Sequence, residues 1–500
     1  MSSDIEQYRI FTDKLSIEED RSTALNNIKN FLEYKPASEA VSTIRNVGIS
    51  KIIKCLNESD KIQLELTCEV LKMCFEKFEP GEVIKLYTNY IMYLLRNHID
   101  SVRRLAIDEI CKTVTKGCML PVPQYIDVYV AVGQMVCDSD VGIANKAVLI
   151  TSNLADEAYP KVLEEMKIAL EGNSSSKCNA FEVIVNISAK SPKLLNVCVD
   201  QGYISFIQNE LYGDDILYEL NILELLTQLA ITPHGINYLV KQGTFQKISE
   251  LVKELHKNPF GSLLIPGYMK FLGSIAYCYP KEIFEKYPIL LDLLFDAIES
   301  NETTILPIAL DTFGFIGATI EGKLCLMALG SIFIQNVARL GSIIRNSPTE
   351  TKVRALHCLA SLINIEKDLN KNVPTDQRVT LMTREWFRSL SQDPGSMEVL
   401  YDICKNPFPD IKMAALALLD AVCQHQWGAE MVANVPGFIE YLLDRSVDST
   451  NDSKHAKYNV IKRLSRSSVF DENIITRLQK YVEQGPYYAE LENQVAMEGD

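Results

Sequence analysis

The sequence predicts an all-α chain of stacked helical repeats, on three observations. The first is a local pattern. Leu217, Leu220, Leu223, Leu226 and Ala230 recur every three or four residues, the spacing of one apolar helix face. Asp214 and Asp215 precede them, where short acidic side chains cap and charge a helix start. Pro233, His234 and Gly235 end that helix, and a short one with Ile236, Leu239 and Val240 follows. Gly243 is predicted as its left-handed cap. Phe245, Ile248, Leu251, Val252 and Leu255 stripe a third helix, ended by Pro259. Such a unit cannot bury its own apolar faces and needs copies on both sides.

The second observation is that the copies exist. The offset that lays Ala189 on Ala230 also lays Pro192 on Pro233, Val199 on Val240, Gln201 on Gln242, Gly202 on Gly243 and Ile207 on Ile248, with no gap. The offset that lays Leu223 on Leu310 also lays Gly235 on Gly322, Leu239 on Leu326 and Gly243 on Gly330. A helical repeat of about 40 residues marks an armadillo or HEAT-like solenoid, a superhelix. The third observation is that no stretch sustains the period-two alternation of a half-buried strand.

The elements follow in order. Residues 1–34 read as an N-terminal cap of one or two amphipathic helices, with Ile10, Leu15, Leu25, Ile28, Phe31 and Leu32 apolar; terminal repeats are atypical. Long helices are expected to start near Asp60, Asp100, Ser139, Ser174, Asp214, Ser262, Thr303, Thr349, Pro409 and Asn451, which makes roughly ten repeats. Val102-Arg103-Arg104, Val353-Arg354 and Ile411-Lys412 stand at equivalent places in three of them. The interval from Thr349 to Pro409 is longer than the rest. Its excess, residues 366–378 with Pro374, predicts a loop or an extra helix. No linker divides the chain, so residues 1–488 read as a single solenoid and the acidic residues 489–500 as a disordered tail.

Composition narrows the function classes. Hydrophobic residues are 47% and charged residues 23%, as in an ordinary folded soluble protein. The net charge of −15 opposes binding to nucleic-acid backbones. The 13 cysteines form no C-x-x-C pair, so neither a zinc site nor a thioredoxin motif is supported. Cys68, Cys111 and Cys325 lie at apolar helical positions and read as small buried hydrophobes in a reducing compartment. The first 30 residues are acidic and lack an apolar core segment, and no uncharged apolar run is long enough to span a membrane. A cytoplasmic location follows, with the nucleus as a second compartment.

The chemistry-bearing motifs are sparse. Gly317, Gly322 and Lys323 are spaced as a phosphate loop. That loop needs a strand before it and a Ser or Thr after the Lys, where Leu324 stands, and Glu321 would put negative charge into the cradle. The 6 histidines show no H-E-x-x-H and so no metal pair on one helix face. No G-x-S-x-G provides a nucleophile elbow. No catalytic residue, cofactor site or metal site is therefore assigned. The inner-helix ladder position, where armadillo import adaptors grip basic peptides with Trp and Asn, reads Asn153, Gln228, Ser274 and Phe315. Lys454, Lys457, Lys462, Arg463 and Arg466 make the last long helix basic, either a solvated face or a dock for an acidic partner segment. Arg103, Asn153, Gln228 and Ser274 are the candidate partner-binding residues.

Several stretches carry a resemblance. They are Pro266-Gly267-Tyr268-Met269-Lys270-Phe271 with Gly273, Glu321-Gly322-Lys323, and Trp386-Phe387 with Ser389-Leu390-Ser391 and Asp393-Pro394. Pro436-Gly437-Phe438-Ile439-Glu440-Tyr441, Asp444-Arg445-Ser446 and Gly485-Pro486-Tyr487-Tyr488 complete the set. The last is the most specific, since little in packing demands it there. Together they resemble the 26S proteasome non-ATPase regulatory subunit 5 family, end to end. The resemblance implies an armadillo-type solenoid and a non-enzymatic chaperone of proteasome base assembly, which leaves before the mature particle forms. It implies as partners the C-terminal domain of a regulatory-particle AAA+ ATPase subunit, the neighbouring ATPase and the large non-ATPase scaffold subunit. Nucleic acid and membrane are not among them, and the free chain is expected to be a monomer. The alternative on the same fold is a general scaffold or transport adaptor for another protein.

Overall fold

The computed structural model describes residues 2–57, 60–118, 120–154, 156–211, 215–300, 302–365, 377–448 and 450–488. Among these residues there are 30 α-helices and no strand. Long helices begin at Lys61, Asp100, Val141, Ser174, Ile216, Gly261, Leu306, Thr349, Pro409 and Asn451, each within three residues of its predicted start. The predicted N-terminal helices are Ser2–Lys14 and Arg21–Tyr34. Of the apolar residues named for this cap, Leu15, Leu25, Ile28, Phe31 and Leu32 are buried and Ile10 is exposed.

The chain forms two compact units, residues 1–235 and 236–500. In the first, Arg21–Tyr34, Lys61–Glu76, Asp100–Thr115, Val141–Ser152, Ser174–Lys190 and Ile216–Ala230 form one layer, each helix packed on the next. Behind them, Glu82–Leu95, Val122–Gln134 and Tyr159–Leu170 form a second layer of return helices. These repeats are helix pairs. In the second unit Gly261–Cys278, Leu306–Ile316, Thr349–Ile363, Pro409–Val422 and Asn451–Leu464 form the long-helix layer. Two helices separate successive members there, for example Ile320–Ala328 and Ser331–Asn346.

The turn chemistry explains the repeat. Asp215 caps Ile216–Ala230 by accepting from the Leu217 and Tyr218 amides at 3.0 and 3.2 Å. Gly243 has φ +72° and Gly202 φ +78°, a conformation costly for any side chain. Gly235 and Gly322 serve a different need. A Cβ on either would lie 2.0 Å from a carbonyl oxygen of the preceding long helix, that of Leu229 or Ile316. Gly428 repeats the contact against Val422. Glycine here lets the short helix turn tightly over the end of the long one.

Three expectations need correction. Leu217 is 73% exposed, although Glu219 in the same turn is buried. Lower in that helix Ile222, Leu223, Leu225, Leu226 and Leu229 are all buried: a helix flanked on two sides and backed by another layer buries more than one stripe. Cys68 is buried, but Cys111 and Cys325 are only half-buried. Lys457, read as part of a basic outer face, has 0% of its side chain exposed and pairs with the equally buried Asp448. All 13 cysteines are free thiols. Asp214, residues 366–376 of the long interval, and the tail 489–500 lie outside the described residues. Residues 377 and 378 open the helix Gln377–Arg388.

Candidate partner-binding surface

The edges of the long-helix layers offer the surfaces a partner could use, and the predicted residues are distributed along them. Asn153 is exposed at the end of Val141–Ser152, its amide Nδ2 donating to the Leu149 carbonyl at 2.8 Å. Gln228 and Ser274 are half-buried on Ile216–Ala230 and Gly261–Cys278. Phe315, 44% exposed, stacks on Tyr277 with ring centroids 4.3 Å apart. This parallel aromatic pair covers the seam between Gly261–Cys278 and Leu306–Ile316.

Arg103, with its side chain 12% exposed, is tied down by its own repeat seam. Its Nε and Nη2 donate to Asp138 at 2.7 and 2.8 Å, Nη2 also to Asp100 at 2.7 Å, and Nη1 to the Asn97 carbonyl at 3.0 Å. This two-pronged pairing ties one repeat to the next. The equivalent cations do similar work: Arg104 bridges to Asp140 at 2.5 Å, Arg354 to Asp311, and Lys412 to the Val447 carbonyl at 2.9 Å.

The phosphate-loop spacing resolves into a scaffold contact. Lys323 is fully buried, and its ammonium donates to the carbonyls of Gly317, Ala318 and Ser361. These are the ends of Leu306–Ile316 and Thr349–Ile363, where helix carbonyls lack partners and carry partial negative charge. Glu321 pairs outward with Lys281 at 3.0 Å. His234 and His425 do the same kind of capping, with Nε2 at 2.9 Å from the Ser188 and Ile363 carbonyls respectively.

The stretches that carry the resemblance are likewise scaffold. Trp386 stands edge-on to Phe333 at 4.7 Å, and Phe387 tilts against Trp427 at 5.7 Å. Gly273 sits where a Cβ would come within 3.2 Å of Thr312, allowing two long helices to approach closely. Arg445 donates to the Gly485 carbonyl at 2.8 Å and lies 3.6 Å from the Tyr481 ring and 5.4 Å from that of Tyr488. Packing thus uses Gly485, which also has φ +83°, and Tyr488 of that turn, while Tyr487 is 59% exposed.

Two clefts open on the long-helix layer of the second unit. One, about 630 Å³, is lined by Asp311, Glu350, Arg354, His357 and Asp410 and is acidic. Desolvation raises the Asp311 carboxyl and lowers the His357 imidazole from their ordinary values. The other, about 550 Å³, lies between Pro409–Val422 and Asn451–Leu464 and carries Lys462, Arg463 and Arg466. Lys462, Arg463 and Arg466 signalled one wall of the basic cleft in the sequence; its other wall and the acidic cleft join residues of successive repeats, which only the repeat phase could have aligned. No group of three or more His, Cys, Asp or Glu among the described residues is arranged to hold a metal. Nor is any single helix among them long and apolar enough to cross a membrane.

Comparison with known proteins agrees with this architecture. A family model described as proteasome non-ATPase 26S subunit matches residues 6–500. The 26S proteasome non-ATPase regulatory subunit 5 of Bos taurus and that of Homo sapiens are each 30% identical over 488 residues, covering 95% of both chains. The Drosophila melanogaster protein of that description is 26% identical over 87% of this chain and 85% of its own. A chain in the solved structure of Kap95p binding to RanGDP superposes with TM-score 0.55 at 10% identity, over 95% of this chain and 56% of its own, a likeness of fold alone. With the whole length matched, the chain belongs to the 26S proteasome non-ATPase regulatory subunit 5 family.

Proposed function

We propose that this chain is a non-enzymatic chaperone for assembly of the base of the proteasome 19S regulatory particle. It binds regulatory AAA+ ATPase subunits and dissociates before the mature 26S proteasome forms. The observation that supports this reading is the family match across residues 6–500. The partner is the C-terminal domain of one ATPase subunit, with its ring neighbour and the large non-ATPase scaffold subunit close by. The working compartment is the cytoplasm, with the nucleus as a second.

The physics suits a transient holder. Repeat layers present extended surfaces able to follow a folded domain. The two clefts of opposite charge make a polar, mixed surface, and transient interfaces are less apolar than permanent ones. Asn153, Gln228 and Ser274 are proposed to face the partner. Arg103 contributes by fixing the Asp138 and Asp100 carboxylates beside it.

The test is direct. The purified chain is mixed with the C-terminal domain of each regulatory ATPase in turn, and complexes are weighed by size exclusion with light scattering. A one-to-one complex with a particular ATPase supports the proposal. Absence of a complex with all of them contradicts it.

A further inference from the structure

We infer that the cleft between Pro409–Val422 and Asn451–Leu464 docks an acidic segment of a protein partner. This deepens the chaperone reading and rests on it only for the partner's identity.

The chain carries 65 acidic and 50 basic residues, yet this cleft is basic. Its six informative residues are Asp420, His425, Asn459, Lys462, Arg463 and Arg466. Asp420 is neutralised by Arg463, whose Nε and Nη2 lie 2.9 and 3.0 Å from its two oxygens. Lys462 and Arg466 are exposed, and neither side chain has a hydrogen bond or ion pair among the described residues. Other cations of this region are engaged: Lys457 and Lys412 with Asp448, and Arg445 with Gly485, Tyr481 and Gln484. Lys454 on the same helix also has no side-chain ion pair among the described residues, but it lies outside the cleft lining.

A helix C-terminus attracts cations by itself, but it amounts to about half a negative charge, screened in water. Two unpaired cations at the end of Asn451–Leu464 exceed that. The cleft wall is fixed. His425, 4% exposed, is anchored on the Ile363 carbonyl and stacked on Trp427 at 5.0 Å. Burial lowers its pKa, so at neutral pH it adds a polar edge and no charge. A volume of about 550 Å³ takes a few side chains, and pockets of such size hold small or extended ligands. Lys462 and Arg466 stand four residues apart, matching two carboxylates about one turn apart. Nucleic acid is the poorer fit, because its affinity comes from many phosphate contacts and the cleft offers two free cations on a chain of net charge −15.

The test uses the full chain and a fluorescent synthetic hexaglutamate peptide, followed by anisotropy at low salt. Wild type is expected to bind it, the double variant K462E/R466E at least 10-fold more weakly, and K454E, on the same helix outside the cleft, like wild type. Thermal melting checks that the variants are folded. Unchanged binding by K462E/R466E overturns the inference, as does tighter binding of a single-stranded oligonucleotide than of the peptide. Replacing Glu490, Glu492 and Glu498 by Gln tests the chain's own acidic tail. A 10-fold gain in peptide binding would make the tail the occupant and overturn the partner assignment. An ATPase complex that survives K462E/R466E overturns the inference and leaves the chaperone reading standing. Peptide binding through the cleft without an ATPase complex does the reverse.

Discussion

The paired-helix repeats between residues 60 and 190 and the three-helix repeats between residues 261 and 464 are both joined by cation–carboxylate pairs, Arg354 with Asp311 and Arg463 with Asp420 in the second, and differ in what lies beside those pairs. In the first region the seams carry charge: Arg103 to Asp138, Arg104 to Asp140, Lys146 to Asp108, and Lys112 donating to the Phe75 and Phe78 carbonyls at 3.1 Å. In the second, an aromatic chain crosses the repeats. Phe295, Phe313, Phe333 and Trp386 meet at successive centroid distances of 6.0, 5.7 and 4.7 Å. The ammoniums of Lys323 and Lys457 are enclosed altogether. The difference follows from the added helix. With three helices per repeat more of the seam lies beneath such surface pairs, so apolar contact adds to them there, and a cation enclosed in that interior has to be fully partnered.

The comparison can be broken at its extremes. The largest effect is expected from Asp448→Ala, which leaves Lys457 buried with its charge uncompensated. Removing one partner of a buried ion pair costs about 3–5 kcal/mol, to be read from the urea midpoint at constant m. Next is Gly322→Ala, whose methyl would meet the Ile316 carbonyl oxygen 2.0 Å away. Forced overpacking costs about 3 kcal/mol. Gly243→Ala, strained only in backbone, should cost about 1–2 kcal/mol.

The charged seam responds to pH. Burial pushes the Glu109 carboxyl up to about 7, with its neighbour Lys112 at 3.2 Å acting against this. For a group raised on folding, stabilisation is full below its unfolded pKa and is lost as pH rises through the folded one. Glu109→Gln should therefore match wild type near pH 4.5 and exceed it by about 3 kcal/mol at pH 8. Equal melting of the two proteins at pH 8 would show that folding does not raise the Glu109 carboxyl above its ordinary value. The smallest effect belongs to Lys29→Ala. Its pair with Glu69 is 32% and 50% exposed, and such pairs contribute about 0.5 kcal/mol or less, a difference that 0.5 M salt should erase.

The repeat phase was legible because turn chemistry is local. Gly202, Gly243, Pro192 and Pro233 mark turns by their own backbone limits, and the starts of the long helices followed from them. Burial was less legible. Leu217 looked like core, and Lys457 looked like surface, because neither residue shows which neighbouring repeat reaches it. Asp448, which pairs with Lys457, lies in the turn before its helix. Of the clefts, only the Lys462, Arg463 and Arg466 wall was legible in the sequence. Asp420 and Arg463, or Asp311 and Arg354, meet only when successive repeats stack. The stretches that marked the family are packing devices: Gly322 under a carbonyl, Lys323 capping helix ends, and Arg445 in its tyrosine cradle. They identify the scaffold, while the partner surface is written in residues that no short motif contains.

The most direct test of the chaperone reading is native size fractionation of a cell extract, with identification of what co-elutes with this chain. The account predicts regulatory ATPase subunits in fractions that lack the proteolytic core. Equal abundance in the complete 26S particle would make the chain a permanent subunit and contradict a chaperone that leaves. Absence of every proteasome component from its fractions would contradict the account altogether.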